Sequence, residues 1–180
     1  SLLPRVRLTL LLATSLLLLC ILGYAQLFNL SLPLSRADGR YDAAMILRDY
    51  AGDHLTLATS EAGLLPLYSE WRTLDTWGLN DPQIARAGIT WERLDAEQPA
   101  VIMFHAYFSP LVAASDTTPW RRMTRQLRDY AEARGYVLAA AYGVNAADGH
   151  YYYVRPDLAH SAEIISRLRG LAGTYTYYGQ

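Results

Sequence analysis

LATSEAGLLPLYSEWRTLDTWGLNDPQIAR, residues 57–86, is the stretch from which the fold is read. An apolar, β-branched run from His54 to Thr59 enters it as a strand and ends in Ser60-Glu61-Ala62-Gly63. Leu64 to Tyr68 is apolar up to Pro66, a turn is expected near Ser69-Glu70, and Arg72–Trp77 has the character of a second short strand. Gly78-Leu79-Asn80-Asp81-Pro82 closes the stretch: Asn80 or Asp81 suits a helix N-cap and Pro82 suits the first helical position. If the two strands pair, Glu61, Tyr68, Asp75, Trp77, Asn80, Asp81 and Arg86 share one neighbourhood.

Toward the front, Leu8 to Leu30 carries no charge and is dominated by leucine. Roughly 20 such residues cross a bilayer core, so residues 1–30 read as a transmembrane helix. A cleavable signal peptide is the competing reading, supported by Arg5, Arg7 and the small residues at Gly23-Tyr24-Ala25. The apolar run exceeds the usual h-region, and the chain opens on Ser1, so the expectation is the last span of a longer membrane protein. Arginines flank both ends of the helix. Arg5 and Arg7 lie nearer to it than Arg36 and Arg40, which places residues 31–180 outside the cytoplasm.

Two of the 16 basic residues, all arginine, precede the helix, while all 17 acidic residues follow it. The part beyond the membrane is therefore net acidic, with no electrostatic footprint for nucleic acid. The one cysteine, Cys20, lies in the apolar helix, so no disulfide forms within the chain.

After a linker at residues 31–35, Asp38 is placed to cap a helix through Tyr50 that ends at Gly52. Ile89–Glu97 reads as a short helix and Pro99–Phe104 as a buried strand that delivers His105-Ala106-Tyr107 at its end. A proline-containing loop spans residues 109–118. Thr118-Pro119 then starts a long helix with Met123, Leu127 and Tyr130 on its apolar stripe, stopped by Gly135. Tyr136–Tyr142 and His150–Val154 form strands around a turn at Asn145–Gly149, and Asp157 caps a final helix. The alternation predicts an α/β domain at residues 31–180: a mainly parallel sheet, flanking helices and a C-terminal antiparallel hairpin. Residues 173–180 are a frayed end or a further strand.

In parallel α/β sheets, ligands bind beyond the carboxyl ends of the strands. That rule puts Glu61 and His105 on one edge, as a general acid–base pair or as grips for hydroxyl groups. The plainer alternative is a carboxylate satisfied by its own turn beside a half-buried imidazole. Asp75, Asn80 and Asp81 are oxygen-rich, but their spacing is not that of an EF-hand. Capping accounts for Asn80 and Asp81; Asp75, within a strand, needs solvent or a partner, for which Arg72 and Arg86 are candidates. Trp77 and the other aromatics suit both sugar stacking and a core. His54, His105, His150 and His160 have no tight metal-ligand spacing, and no nucleotide, hydrolase or metalloprotease motif occurs. No cofactor, metal or catalytic residue is expected in this chain.

The runs Gly63-Leu64-Leu65-Pro66-Leu67-Tyr68-Ser69, Leu74-Asp75-Thr76-Trp77-Gly78-Leu79-Asn80-Asp81 and Ile84-Ala85-Arg86 resemble one group of enzymes. They are similar to the C-terminal extracytoplasmic domain of multi-spanning GT-C glycosyltransferases, notably the bacterial terminal arabinofuranosyltransferases. The resemblance implies sugar transfer outside the cytoplasm from a polyprenyl-phosphate donor to a glycan or protein acceptor of the cell envelope. It puts the catalytic acid in a membrane region that precedes this chain. Residues 31–180 would then cover the membrane active site and hold the acceptor, with Glu61, Tyr68, Asp75, Trp77, Asn80, Asp81, Arg86 and His105 as contacts. The rival expectation is a single-span, membrane-anchored binding or structural domain of the envelope.

Overall fold

The structure, a computed structural model, describes residues 2–31, 39–106, 118–145 and 148–171. The linker at 32–35, Asp38, Tyr107, the loop at 109–117 and the closing residues 173–180 lie outside the described residues. The chain forms two compact units, Ser1–Leu34 and Ser35–Gln180.

The first unit is one helix, α1 (Leu2–Ser31). Its segment Val6–Leu27 spans 22 residues of high mean hydropathy. At about 1.5 Å per residue this is roughly 33 Å, long enough and apolar enough to cross a membrane. The Thr14 hydroxyl donates to Leu10 O at 2.8 Å, so a polar group on the apolar helix is satisfied by its own backbone.

The second unit is a mixed α/β domain. In chain order it contains α2 (Arg40–Arg48), β1 (Thr56–Thr59), α3 (Leu64–Ser69), β2 (Arg72–Asp75), α4 (Pro82–Ala87) and α5 (Trp91–Glu97). β3 (Val101–Ala106), α6 (Pro119–Ala133), β4 (Val137–Asn145), β5 (Asp148–Val154) and α7 (Ser161–Gly170) complete it. The five strands form one sheet in the order β2-β1-β3-β5-β4.

The expected mainly parallel sheet is corrected to a mixed one. β1 runs parallel to β2 and β3, whereas β5 is antiparallel to both β3 and β4. The hairpin exists, but it turns inward, so that β5 and not β4 lies beside β3. Its side chains give the reason. Tyr152 packs on Tyr142 on one face, and Tyr151 and Tyr153 stack on Phe104 on the other. A strand apolar on both faces is stable only inside a covered sheet. β4 takes the edge, and its pairing with β5 shifts register at Leu138/Ala140 and Gly143/Asn145.

Helices cover both faces. On one, Leu47 of α2, Leu65 of α3 and Ile164 of α7 pack with Val101, Met103 and Tyr152. On the other, Ile84 of α4, Leu94 of α5 and Leu127 of α6 pack with Ile102, Phe104 and Tyr151. The period-2 alternation of β3 therefore puts His105 on the α2 side and Ala106 on the α6 side.

Several boundaries differ from the sequence expectation. The segment after Gly63 is a helix, α3, with Pro66 in its first turn, where a missing N–H costs no helical bond. α2 ends at Arg48, before Gly52. α7 starts at Ser161, and Asp157 pairs with Arg155 at 2.9 Å instead of capping it.

Candidate functional site

The carboxyl ends of β1 and β3 meet at one edge of the sheet, and the residues that follow β1 are fastened there by hydroxyl groups. Ser60 N–H donates to Met103 O at 3.1 Å, and Ser60 Oγ accepts the His105 backbone N–H at 2.9 Å. Thr59 Oγ1 accepts the Glu61 backbone N–H at 3.1 Å. The turn is thus satisfied without the Glu61 carboxylate, which is left to meet other groups.

Those groups are two imidazoles and a guanidinium. Glu61 Oε1 lies 2.9 Å from His105 Nδ1 and 3.4 Å from His150 Nε2, and Oε2 is held by Arg40 Nη1. His150, in β5, lies directly opposite His105, and the two rings stack with centroids 4.2 Å apart. His150 is 4% exposed, and neither of its ring nitrogens completes a hydrogen bond among the described residues. Burial by itself raises the Glu61 pKa, but the contacts of His105 and His150 and the charge of Arg40 outweigh it and hold the carboxyl well below its usual range. The edge therefore presents a fixed carboxylate beside two imidazole rings.

The neighbouring strand β2 ends at Asp75, around which the loop that follows is built. It is 4% exposed, and its carboxylate accepts the backbone N–H groups of Trp77 at 3.1 Å, Gly78 at 2.9 Å and Asn80 at 2.7 Å. The partner expected among Arg72 and Arg86 is its own loop. Gly78 sits at φ 89°, and a Cβ there would lie 2.3 Å from Ala85 N, so only glycine lets α4 approach this closely. Asp81 caps α4 by accepting from Gln83 N at 2.9 Å and Ile84 N at 3.1 Å. Arg93 stands 3.5 Å from Asp81, so the acidic group near Asp75 is already neighboured by a guanidinium.

The pinned loop presents Trp77 at the mouth of a cleft of about 620 Å³ between α4 and the start of α6, also lined by Arg86, Met123, Arg122 and Gln126. This is the size range of small-ligand sites. The Trp77 ring is 37% exposed and lies edge-on to Trp120, with centroids 4.8 Å apart. Trp120 Nε1 in turn donates to His105 O at 2.8 Å, so one indole joins the cleft to the strand that carries the imidazole. Arg86 is exposed and forms no ion pair among the described residues.

The eight candidate residues fall into several groups. Glu61 and His105 touch; Tyr68 lies nearby on α3, edge-on to Tyr41 at 5.0 Å. Trp77 and Arg86 line the cleft, while Asp75 and Asp81 hold backbone and Asn80 contributes its N–H. Sequence reasoning missed Arg40 and His150. His150 was visible only as the start of a strand, and its role depends on a cross-strand register that no local pattern encodes.

No curated protein and no solved structure matches the chain. A family model matches residues 30–159, which contain all five strands and every group described at this edge. The chain belongs to that family, described as a domain of unknown function (DUF8728).

Proposed function

We propose that this chain is the C-terminal part of a membrane glycosyltransferase that uses a polyprenyl-phosphate sugar donor, and that its α/β unit binds the acceptor glycan on the extracytoplasmic side. The observation that carries the binding role is the Trp77 cleft. It offers a partly exposed indole for the apolar face of a sugar, with Arg86, Arg122 and Gln126 around it to meet hydroxyl groups. The helix long enough to cross a membrane and the resemblance of residues 63–86 support the transferase reading. On this reading the catalytic acid belongs to a loop among preceding membrane spans, and the present residues contribute acceptor affinity.

The reading frame upstream of Ser1 in the source DNA tests the transferase assignment. A polytopic region of several apolar spans in frame is the expected result. A start codon immediately before Ser1 would overturn it and leave a single-span anchored binding domain, the reading that the self-contained cleft also supports.

A further inference from the structure

We propose that Glu61, His105 and His150 form a binding site for one divalent transition-metal ion of the zinc type. The three side chains each present one ligand atom, and these atoms lie within 4.8 Å of one another. Two imidazole nitrogens and a carboxylate oxygen are the donor set of many three-ligand zinc and non-haem iron sites, in which a further position stays open to water or substrate.

The geometry is close to what coordination needs. Ligand atoms about 2.0–2.1 Å from a tetrahedral zinc ion are about 3.3 Å apart. The His150 Nε2 to Glu61 Oε1 distance is 3.4 Å, and the His105 Nδ1 to Glu61 Oε1 distance is 2.9 Å. An ion at this point lies in the plane of each ring, so the rings, now stacked at 15°, splay apart as it binds. His105 exchanges its contact with Glu61 for a metal bond. Arg40 occupies Glu61 Oε2, which leaves Oε1 as a single, oriented ligand.

The second observation is His150. Both of its ring nitrogens are buried without a hydrogen bond among the described residues, and Nε2 faces the carboxylate. A buried polar atom left in this state costs about 1–3 kcal/mol, a cost that native proteins rarely carry without a ligand, ion or water to offset it. Among the described residues the Glu61 carboxylate, 3.4 Å away, is what Nε2 faces, and a metal ion between them gives Nε2 the partner it lacks.

The site lies on the α2 side of the sheet and the Trp77 cleft on the α4 and α6 side, so this proposal stands apart from the glycan reading. The test uses the full chain in detergent, free of affinity tag and stripped with chelator, titrated with Co²⁺ followed by visible absorption and then with Zn²⁺ in competition. The expected result is one Co²⁺ per chain with intense d–d bands, displaced by Zn²⁺. His105→Ala and His150→Ala each weaken binding at least about tenfold, and His54→Ala and His160→Ala leave it unchanged. Circular dichroism checks the fold of each variant. If His150→Ala fails to fold, the partly exposed His105→Ala decides alone. Absence of saturable binding, or bands that survive His105→Ala in a folded protein, would overturn the site.

Discussion

His105 and His150 face one another across the antiparallel β3–β5 pair with their rings stacked, and the carboxylate of Glu61, from the end of a third strand, lies against both. Three separate strands thus converge on one oxygen atom. The arrangement exists because β5 inserts next to β3; with the hairpin turned the other way, His150 would sit at the far edge of the sheet.

The depressed pKa of Glu61 makes stability depend on pH. A carboxyl whose folded pKa lies below its ordinary value near 4.5 contributes fully above that value and loses its contribution as pH falls. In chelator, Glu61→Gln is expected to cost about 1–3 kcal/mol at pH 7 through its lost charged contacts. That difference shrinks as the pH is lowered from 5 toward 3. Urea unfolding at both ends of the range measures it, and a constant difference would show that the carboxylate charge contributes nothing.

Asp75 is expected to be structural. Asp75→Asn keeps the size of the side chain but turns one acceptor into a donor that faces the backbone N–H groups of the 77–80 loop. The expected loss is about 2–4 kcal/mol. Asn80→Ala, by contrast, keeps the N–H that Asp75 uses and is expected to be nearly neutral. Thermal unfolding of the two variants separates the roles; equal losses would contradict them.

Gly78→Ala is expected to destabilise by at least about 2 kcal/mol, from the positive φ and from a methyl group forced into the backbone of α4. Because α4 must retreat, near-ultraviolet circular dichroism of the Trp77–Trp120 pair should change as well. An unaltered spectrum with unaltered stability would refute the close approach.

Much of this was legible in the chain. The apolar run at Val101–Phe104 has the character of a strand covered on both faces, and Thr118-Pro119 marks the start of α6, where Thr118 Oγ1 accepts from Arg121 N. The rule that ligand sites gather at the carboxyl ends of parallel strands brought Glu61 and His105 to one edge, and they touch there. The rest was hidden for identifiable reasons. β5 pairs across a long sequence separation with β3, and its aromatic residues are compatible with an edge or an interior position until packing decides. Asp75 asked for a partner, and an arginine is the usual guess, yet backbone N–H groups three and five residues on served better. Arg40 lies on a helix whose register gives no hint that its first residue reaches Glu61.

The central claim is that the Trp77 cleft binds a glycan, and isothermal titration of the full chain in detergent with cell-envelope glycan fragments tests it most directly. Saturable binding is predicted, weakened at least about tenfold by Trp77→Ala, as loss of a stacking surface worth about 1.5 kcal/mol or more implies. Arg86→Ala is expected to weaken it further in the same direction, with the fold of both variants intact. Binding of equal strength in the wild-type protein and in the folded Trp77→Ala and Arg86→Ala variants, or no saturable binding at all, would contradict the account.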